Sequence, residues 1–273
     1  MTAIARRAPG RAPTSGLVAS LLRSRRLVQR NLLVYKRGWM VIFSGFFEPL
    51  FYLLGIGFGL GSLVPGVVLA DGRHISLAAF VAPGLIASAS MNGAIAESIF
   101  NVFFKLNFSK TYDAILATPV DAESLAFAEI AWAITHGAFD TVIIMVVLTV
   151  FGAATSPWAI LAPLPLIVGA AFMAGLSLGV TAHVHDIDAF NVYMAIFFST
   201  MYVTGAFFPL EVLPVWLQIP ARILPQTESI DLTRAFLTGR FLPRHFYEAI
   251  YLIISAVVAC EWALRSLRRR MVA

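Results

Sequence analysis

Residues 158–181 read WAILAPLPLIVGAAFMAGLSLGVT, a stretch without one Asp, Glu, Lys, Arg or His. A helix that crosses the hydrocarbon core of a bilayer needs about 20 apolar residues. In lipid every backbone N–H and C=O must find its partner inside the structure, which leaves helices or closed barrels. The alternation of a barrel strand is missing here, so the stretch reads as a helix. Five more apolar segments surround it, at about 39–61, 76–100, 124–151, 190–208 and 246–264. The third of the six, 124–151, is long enough to tilt or to extend past the membrane. The chain is 59% hydrophobic and 13% charged, against about 25% charged in a soluble domain. A soluble core of this size could not hide so much apolar surface. The expected fold class is an all-α polytopic membrane protein whose six transmembrane helices fill residues 38–265.

Lys and Arg orient the spans, because basic residues concentrate on the cytoplasmic side. Nine of the 20 precede the first span, Lys105 and Lys110 lie between spans two and three, and Arg265, Arg268, Arg269 and Arg270 follow the last. Only Arg73, Arg222, Arg234, Arg240 and Arg244 fall on the other side. Both termini are therefore expected in the cytoplasm of a cell whose plasma membrane holds the chain, and the alanine- and arginine-rich usage points to a bacterium. The net charge of +5 serves topology and membrane lipids; no nucleic-acid partner is expected. Arg6-Arg7 is followed by Arg11 and Pro13 rather than the apolar core of a leader, so no cleavage is expected.

Outside the spans, residues 1–16 read as a mobile basic tail and 266–273 as a basic cytoplasmic tail. Residues 17–37 project as an amphipathic helix lying in the membrane interface: Leu17, Leu21, Val28, Leu32 and Tyr35 share one side, and Arg23, Arg26, Arg30 and Arg37 the other. Between spans five and six, residues 209–245 carry five prolines among apolar residues such as Val215, Trp216 and Ile219. Proline at that density breaks a helix into pieces, so short, re-entrant-like external helices are expected.

No G-x-x-x-x-G-K-[ST] occurs and no glycine is followed by lysine, so the chain has no phosphate-cradling loop and is not expected to be an enzyme. The glycine-rich LGIGFGLG, residues 54–61, ends a span rather than following a strand, which suits close helix packing. AHVHDID, residues 182–188, reads as a polar loop rather than a metal site, and the single cysteine, Cys260, as a buried thiol. Ionisable residues inside spans are functional hypotheses by default. Glu129, His136 and Asp140 share one face of span three, and His136 and Asp140 are one helical turn apart. They form either a seam packed against Glu48, Glu97 or a second subunit, or the relay of an ion-coupled carrier.

Three stretches carry a family resemblance: the basic amphipathic helix before span one, KTYDAILATPVDAES (110–124), and YVTGAFFPLEVLPVWLQIPARILPQTESIDLTRAF (202–236). With the six-span plan they resemble the ABC-2 transporter permeases, in the branch of daunorubicin-type drug exporters and nodulation lipo-oligosaccharide exporters. The chain departs from that pattern at Gln226-Thr227-Glu228. The resemblance implies two permease subunits, a homo- or heterodimer, served by separate ATP-binding subunits. No cofactor is expected in this chain; ATP and magnesium belong to the partner. A cytoplasmic coupling helix is expected at about 101–118, with Phe103, Phe104, Leu106 and Phe108 as apolar anchors. Lys105, Lys110, Thr111, Tyr112 and Asp113 form its polar rim, and Arg23, Arg26 and Arg30 give a second docking surface. The substrate is expected to be amphiphilic, lined by Phe46, Phe47, Met91, Phe197, Phe198 and Met201, residues that at helical spacing also fit plain packing.

Overall fold

A computed structural model of the chain describes residues 24–33, 47, 50–63, 66–68, 74–118, 120–150 and 156–272. A first helix, α1, covers 24–33, and α2 runs Leu50–Ser62. The antiparallel strands β1 (Val67–Val68) and β2 (His74–Ile75) pair Val67 with Ile75 and Val68 with His74. Then follow α3 (Leu77–Asn107), α4 (Thr111–Leu116), α5 (Ala122–Val150), α6 (Pro157–Thr181), α7 (Ile187–Thr200), α8 (Val215–Ile223), α9 (Pro225–Thr238) and α10 (Arg244–Val272).

Local chemistry sets several of these boundaries. Ser76 opens α3 by accepting a hydrogen bond from the Ala79 N–H, satisfying one of the donors a helix start leaves free. Ser156 does the same for Trp158 at the head of α6, with Pro157 in the first position. Pro225 begins α9, and Gly239 ends it with φ 72°, the left-handed cap that glycine adopts without a Cβ clash.

Among the described residues four helices, α3, α5, α6 and α10, are long and apolar enough to cross a membrane. They pack face to face, with α6 central: it lies along α10, α5, α3 and α9. Small residues permit the closeness. A Cβ on Gly175 would stand 2.6 Å from the Ala259 carbonyl carbon, and one on Gly179 would meet the Trp262 ring.

Of the other two expected spans, the first lies outside the described residues at 39–46, 48 and 49; its end, α2, packs on the start of α3 through Leu53, Ile56 and Gly61. The expected helix 190–208 is shorter: α7 has 14 residues, about 21 Å at 1.5 Å per residue, and gives way to a 3₁₀ turn at Met201–Val203 and a bend at Gly205, φ 73°. The chain from α7 to that bend nonetheless joins the two ends of the bundle. Phe190 packs on Phe100 and Phe103 near the end of α3, whereas Gly205 sits beside Arg234 near its start. Two other helices outrun the sequence reading. Helix α3 continues past residue 100 to Asn107, and α10 continues through the expected tail to Val272, where Arg268 meets Glu123 at 3.7 Å and Arg270 reaches Asn107 at 3.4 Å. We call the end with Asn107 and Arg270 the lower end, and the opposite one the upper end.

Residues 209–245 form a 3₁₀ turn at Leu210–Val212 and then α8 and α9. Helix α9 is no surface piece: Ile230, Leu232, Thr233 and Leu237 are buried, and Ser229 donates to the Pro165 carbonyl of α6. Arg234 fixes the upper end. It donates to the carbonyls of Gly205 (3.1 Å) and Phe80 (3.5 Å), pairs with Asp231 at 2.9 Å, and lies over the Phe80 ring, 4.4 Å from its centre. Asp231 also holds Arg244, at 2.9 Å, tying α9 to the first turn of α10.

Two outcomes follow from this packing. Gly175→Val drives a side chain into the α10 backbone and should cost at least the 1–3 kcal/mol or so of overpacking, lowering the thermal midpoint of the purified protein in detergent. Gly55→Ala, with nothing among the described residues within 4 Å of its new methyl, should hold or raise it. Burial, then the neighbouring Asp231, pushes the Glu228 carboxyl up to about 7. The fold therefore prefers Glu228 protonated, and stability should fall as pH rises from the ordinary carboxylate range through about 7. Melting curves across that range should show the slope in the parent and a flatter one in Glu228→Gln.

Candidate functional site

The lower end gathers the polar segment between α3 and α5. The expected single helix over 101–118 is instead two pieces. Val102–Asn107 is the last stretch of α3, reached through a π turn at Glu97–Asn101. After Phe108 and Ser109 the chain turns at Lys110, whose φ of 47° and ψ of 29° are left-handed, and α4 begins. A left-handed lysine lacks the local side-chain hydrogen bond that lets Asn or Asp tolerate that conformation; here it reverses the chain between two short helices.

The reversal sorts the expected docking residues into two sets. Phe103 and Tyr112 are both 2% exposed and belong to the bundle. Phe103 packs on Phe190, and Tyr112 sits among Val102, Leu125, Leu178 and Leu267. Phe104 and Phe108 stay 47% and 62% exposed, with ring centres 5.1 Å apart. Lys110 and Asp113 are exposed beside them, and the Thr111 hydroxyl bonds that of Ser109 at 2.7 Å. The available surface is thus an aromatic pair with one charge of each sign. Helix α1 comes to the same end. It buries Ser24 and Asn31 and lays Leu27 against the Tyr112 cluster, leaving Arg26 exposed and Arg30 half-buried beside Tyr112. Arg23, like Phe46 and Glu48, lies outside the described residues.

Above this surface runs a buried polar seam between α3 and α5. Lys105 spans to Glu129, its Nζ 3.0 and 3.1 Å from the two carboxylate oxygens, with the side chains 13% and 3% exposed. The Tyr112 phenol lies in the field of the same carboxylate. Burial, then Glu129, holds its pKa well above 10, so it stays neutral. One turn up α3, the Asn101 amide donates to Glu97. Higher still, His136 faces Asp140 at 3.5 Å over Gly93, where any Cβ would collide with the Asp140 carboxylate. The seam closes with Thr141 donating to Ser90 at 2.7 Å and Ser90 to the Gly137 carbonyl at 3.0 Å.

Glu97, Glu129, His136 and Asp140 therefore lie on one interface. Missing from the sequence reading were Gly93, Asn101 and the Lys105–Glu129 pairing. The spacing of four in Gly93, Glu97, Asn101 and Lys105 was the available signal, since such residues line one helix face. Of the expected substrate residues that are described, Met91 and Phe197 belong to the main apolar core and Phe47 stands apart from it. Met91 is 2% exposed inside the core, against Gly169. Phe47 is on the surface, stacked on Phe51. Phe197 packs on Tyr193, ring centres 4.6 Å apart. The side chains of Phe198 and Met201 lie outside the described residues.

Comparison with known proteins gives a consistent result. A family model described as "ABC-2 type transporter" matches residues 24–238. Nodulation protein J of Rhizobium leguminosarum bv. trifolii is 33% identical over 248 residues, covering 89% of this chain and 92% of its own. Nodulation protein J of Rhizobium meliloti (strain 1021) is 34% identical over 248 residues, 89% and 92% of the two chains. That of Neorhizobium galegae is 30% identical over 267 residues, 96% and 99%.

Removing one member of a buried ion pair strands the other, at a cost of about 3–5 kcal/mol. Lys105→Met should therefore lower the thermal midpoint sharply, and Lys105→Met with Glu129→Leu should recover most of the loss. A Lys105→Met protein that melts with the parent would show that the pair carries no stability.

Proposed function

The chain belongs to the ABC-2 type transporter family, and from that premise we propose that it is the membrane subunit of an ATP-driven exporter with the ATPase in a separate chain. The observation that carries this is the lower end: exposed Phe104 and Phe108, flanked by Lys110 and Asp113, on a short reversal anchored into the bundle by buried Phe103 and Tyr112. Aromatic anchors inside a polar rim are the residues that dominate protein interfaces. Nucleotide and magnesium sit in the partner. Closure of the ATPase dimer pushes α4, and the Lys105–Glu129 pair passes the displacement to α5, shifting the paired permease subunits between two access states.

In this reading the lower end is cytoplasmic, in line with the basic residues at Lys110 and in the last turns of α10. Six spans cross the plasma membrane, α7 with its following turn supplying the fifth, and both termini are inside. The substrate is an amphiphile: a drug, a lipid or a lipid-linked glycan. The ion-coupled alternative needs a carboxylate free to exchange its ion. Glu129 is held by Lys105, and Asp140 faces His136 one turn away on the same helix, both against Gly93 of α3, which favours the seam as packing.

The test is co-purification from the native host in mild detergent, with ATPase assayed on the same sample. A stoichiometric P-loop protein should accompany the parent chain. Phe104→Ala with Phe108→Ala, both exposed, should lose it by tenfold or more while the melting point holds. A chain that purifies alone, and transports in liposomes on a proton gradient, would overturn the proposal.

A further inference from the structure

The upper end holds a cavity of about 760 Å³ between the Leu210–Val212 turn, α9 and the first turn of α10. Its wall carries four carboxylates and four guanidinium groups. Part of this set is structural, since Arg234 and Asp231 are committed to the joints described above. Arg244 is 58% exposed and bridges Asp231 and Glu248, at 2.9 and 3.3 Å. The Glu248 Oε2 atom is buried with no hydrogen-bond partner among the described residues, an arrangement that is costly unless a ligand or water supplies the donor. Phe241 and Leu242, about half exposed, form an apolar side wall.

Charge and hydrogen bonding select among ligand classes. An anion would pair with the arginines and leave the carboxylates facing it, a cation would do the reverse, and an apolar ligand would desolvate both. Asp231, His245 and Glu248 bring one ligand atom each within 4.8 Å of one another, the reach of a divalent ion. But the Arg244 guanidinium already lies on two of them, and His245 Nδ1 accepts the Leu242 N–H at 3.0 Å. That bond puts the proton of the neutral ring on Nε2, the nitrogen a metal would need; Nε2 stands 3.9 Å from Glu248 as a donor. What fits is a group that donates and accepts at once and carries no charge. Hydroxyls do this, and a ring of hydroxyls has an apolar face for an aromatic wall.

We propose that this cavity binds an uncharged, hydroxyl-rich group such as a sugar, with Arg244, His245 and Glu248 as its hydrogen-bonding floor and Phe241 as its stacking wall. That the sugar is the head group of the exported amphiphile rests on the permease reading; the binding itself does not. The purified chain in lipid nanodiscs is titrated calorimetrically with three probes of one length: cellotetraose, tetragalacturonate and tetrameric glucosamine. Cellotetraose should bind saturably and the two charged chains at least tenfold more weakly. Glu248→Gln and Phe241→Ala should each weaken it about tenfold at an unchanged melting point. Absent saturable binding, equal binding of either charged probe, or indifference to both substitutions would overturn the proposal. Octyl cellobioside against free cellobiose separates the sources: tenfold tighter binding of the alkyl form supports an amphiphile's head group, and equal binding overturns that clause in favour of a free sugar. These titrations need no ATPase, so a failed co-purification leaves them interpretable.

Discussion

The contact on which the lower half of the molecule depends is the buried ion pair between Lys105 and Glu129. Two charges with side chains 13% and 3% exposed are held out of water only because each is the other's partner, and such a pair tolerates little displacement. It joins the end of α3 to the beginning of α5, on either side of the left-handed turn at Lys110 and the short helix α4. The chain reversal is thereby clamped at its base, and Tyr112 fills the space beneath it, kept neutral by burial and then by the carboxylate that holds the lysine. A short surface helix alone would be marginal in water. Here it is an outgrowth of the bundle core.

The seam above the pair extends that rigidity upward. Gly93 lets α5 approach until Asp140 lies where a side chain would stand, and Ser90, Thr141 and the Gly137 carbonyl complete a chain of bonds between the two helices. At the other end, Arg234 does comparable work with its fork of donors: it pins the bend after α7 and the start of α3 to α9. Between these two fixtures lie the close, glycine-mediated contacts of α6 with α10. The molecule is thus tied at both ends across helices that pack through small residues.

Much of this architecture was legible in the sequence. Charge-free runs such as 158–181 marked the helices, prolines marked the broken segment at 209–245, and the one-turn spacing of His136 and Asp140 matched their facing in the structure. What was not legible depended on contacts between helices. The partner of Lys105 is Glu129 because of the relative register of α3 and α5, which no periodicity within one helix encodes. The split of the expected coupling helix turns on Lys110 adopting a conformation for which lysine gives no sign. The early end of α7 rests on Gly205, whose positive φ leads into a joint with Arg234, a residue 29 positions later. Tyr112 looked like rim because tyrosine has a polar tip; its burial follows from α1, α5 and α10 converging on it.

The most direct measurement is hydrogen–deuterium exchange on the complex with its ATPase, with and without ATP plus vanadate. If force enters at α4 and is passed through the Lys105–Glu129 pair, nucleotide should change exchange in residues 111–116 and in the Glu129–Asp140 part of α5 together. A response confined to α4, or a nucleotide effect in α5 that persists unchanged in the Lys105→Met, Glu129→Leu protein, would contradict it.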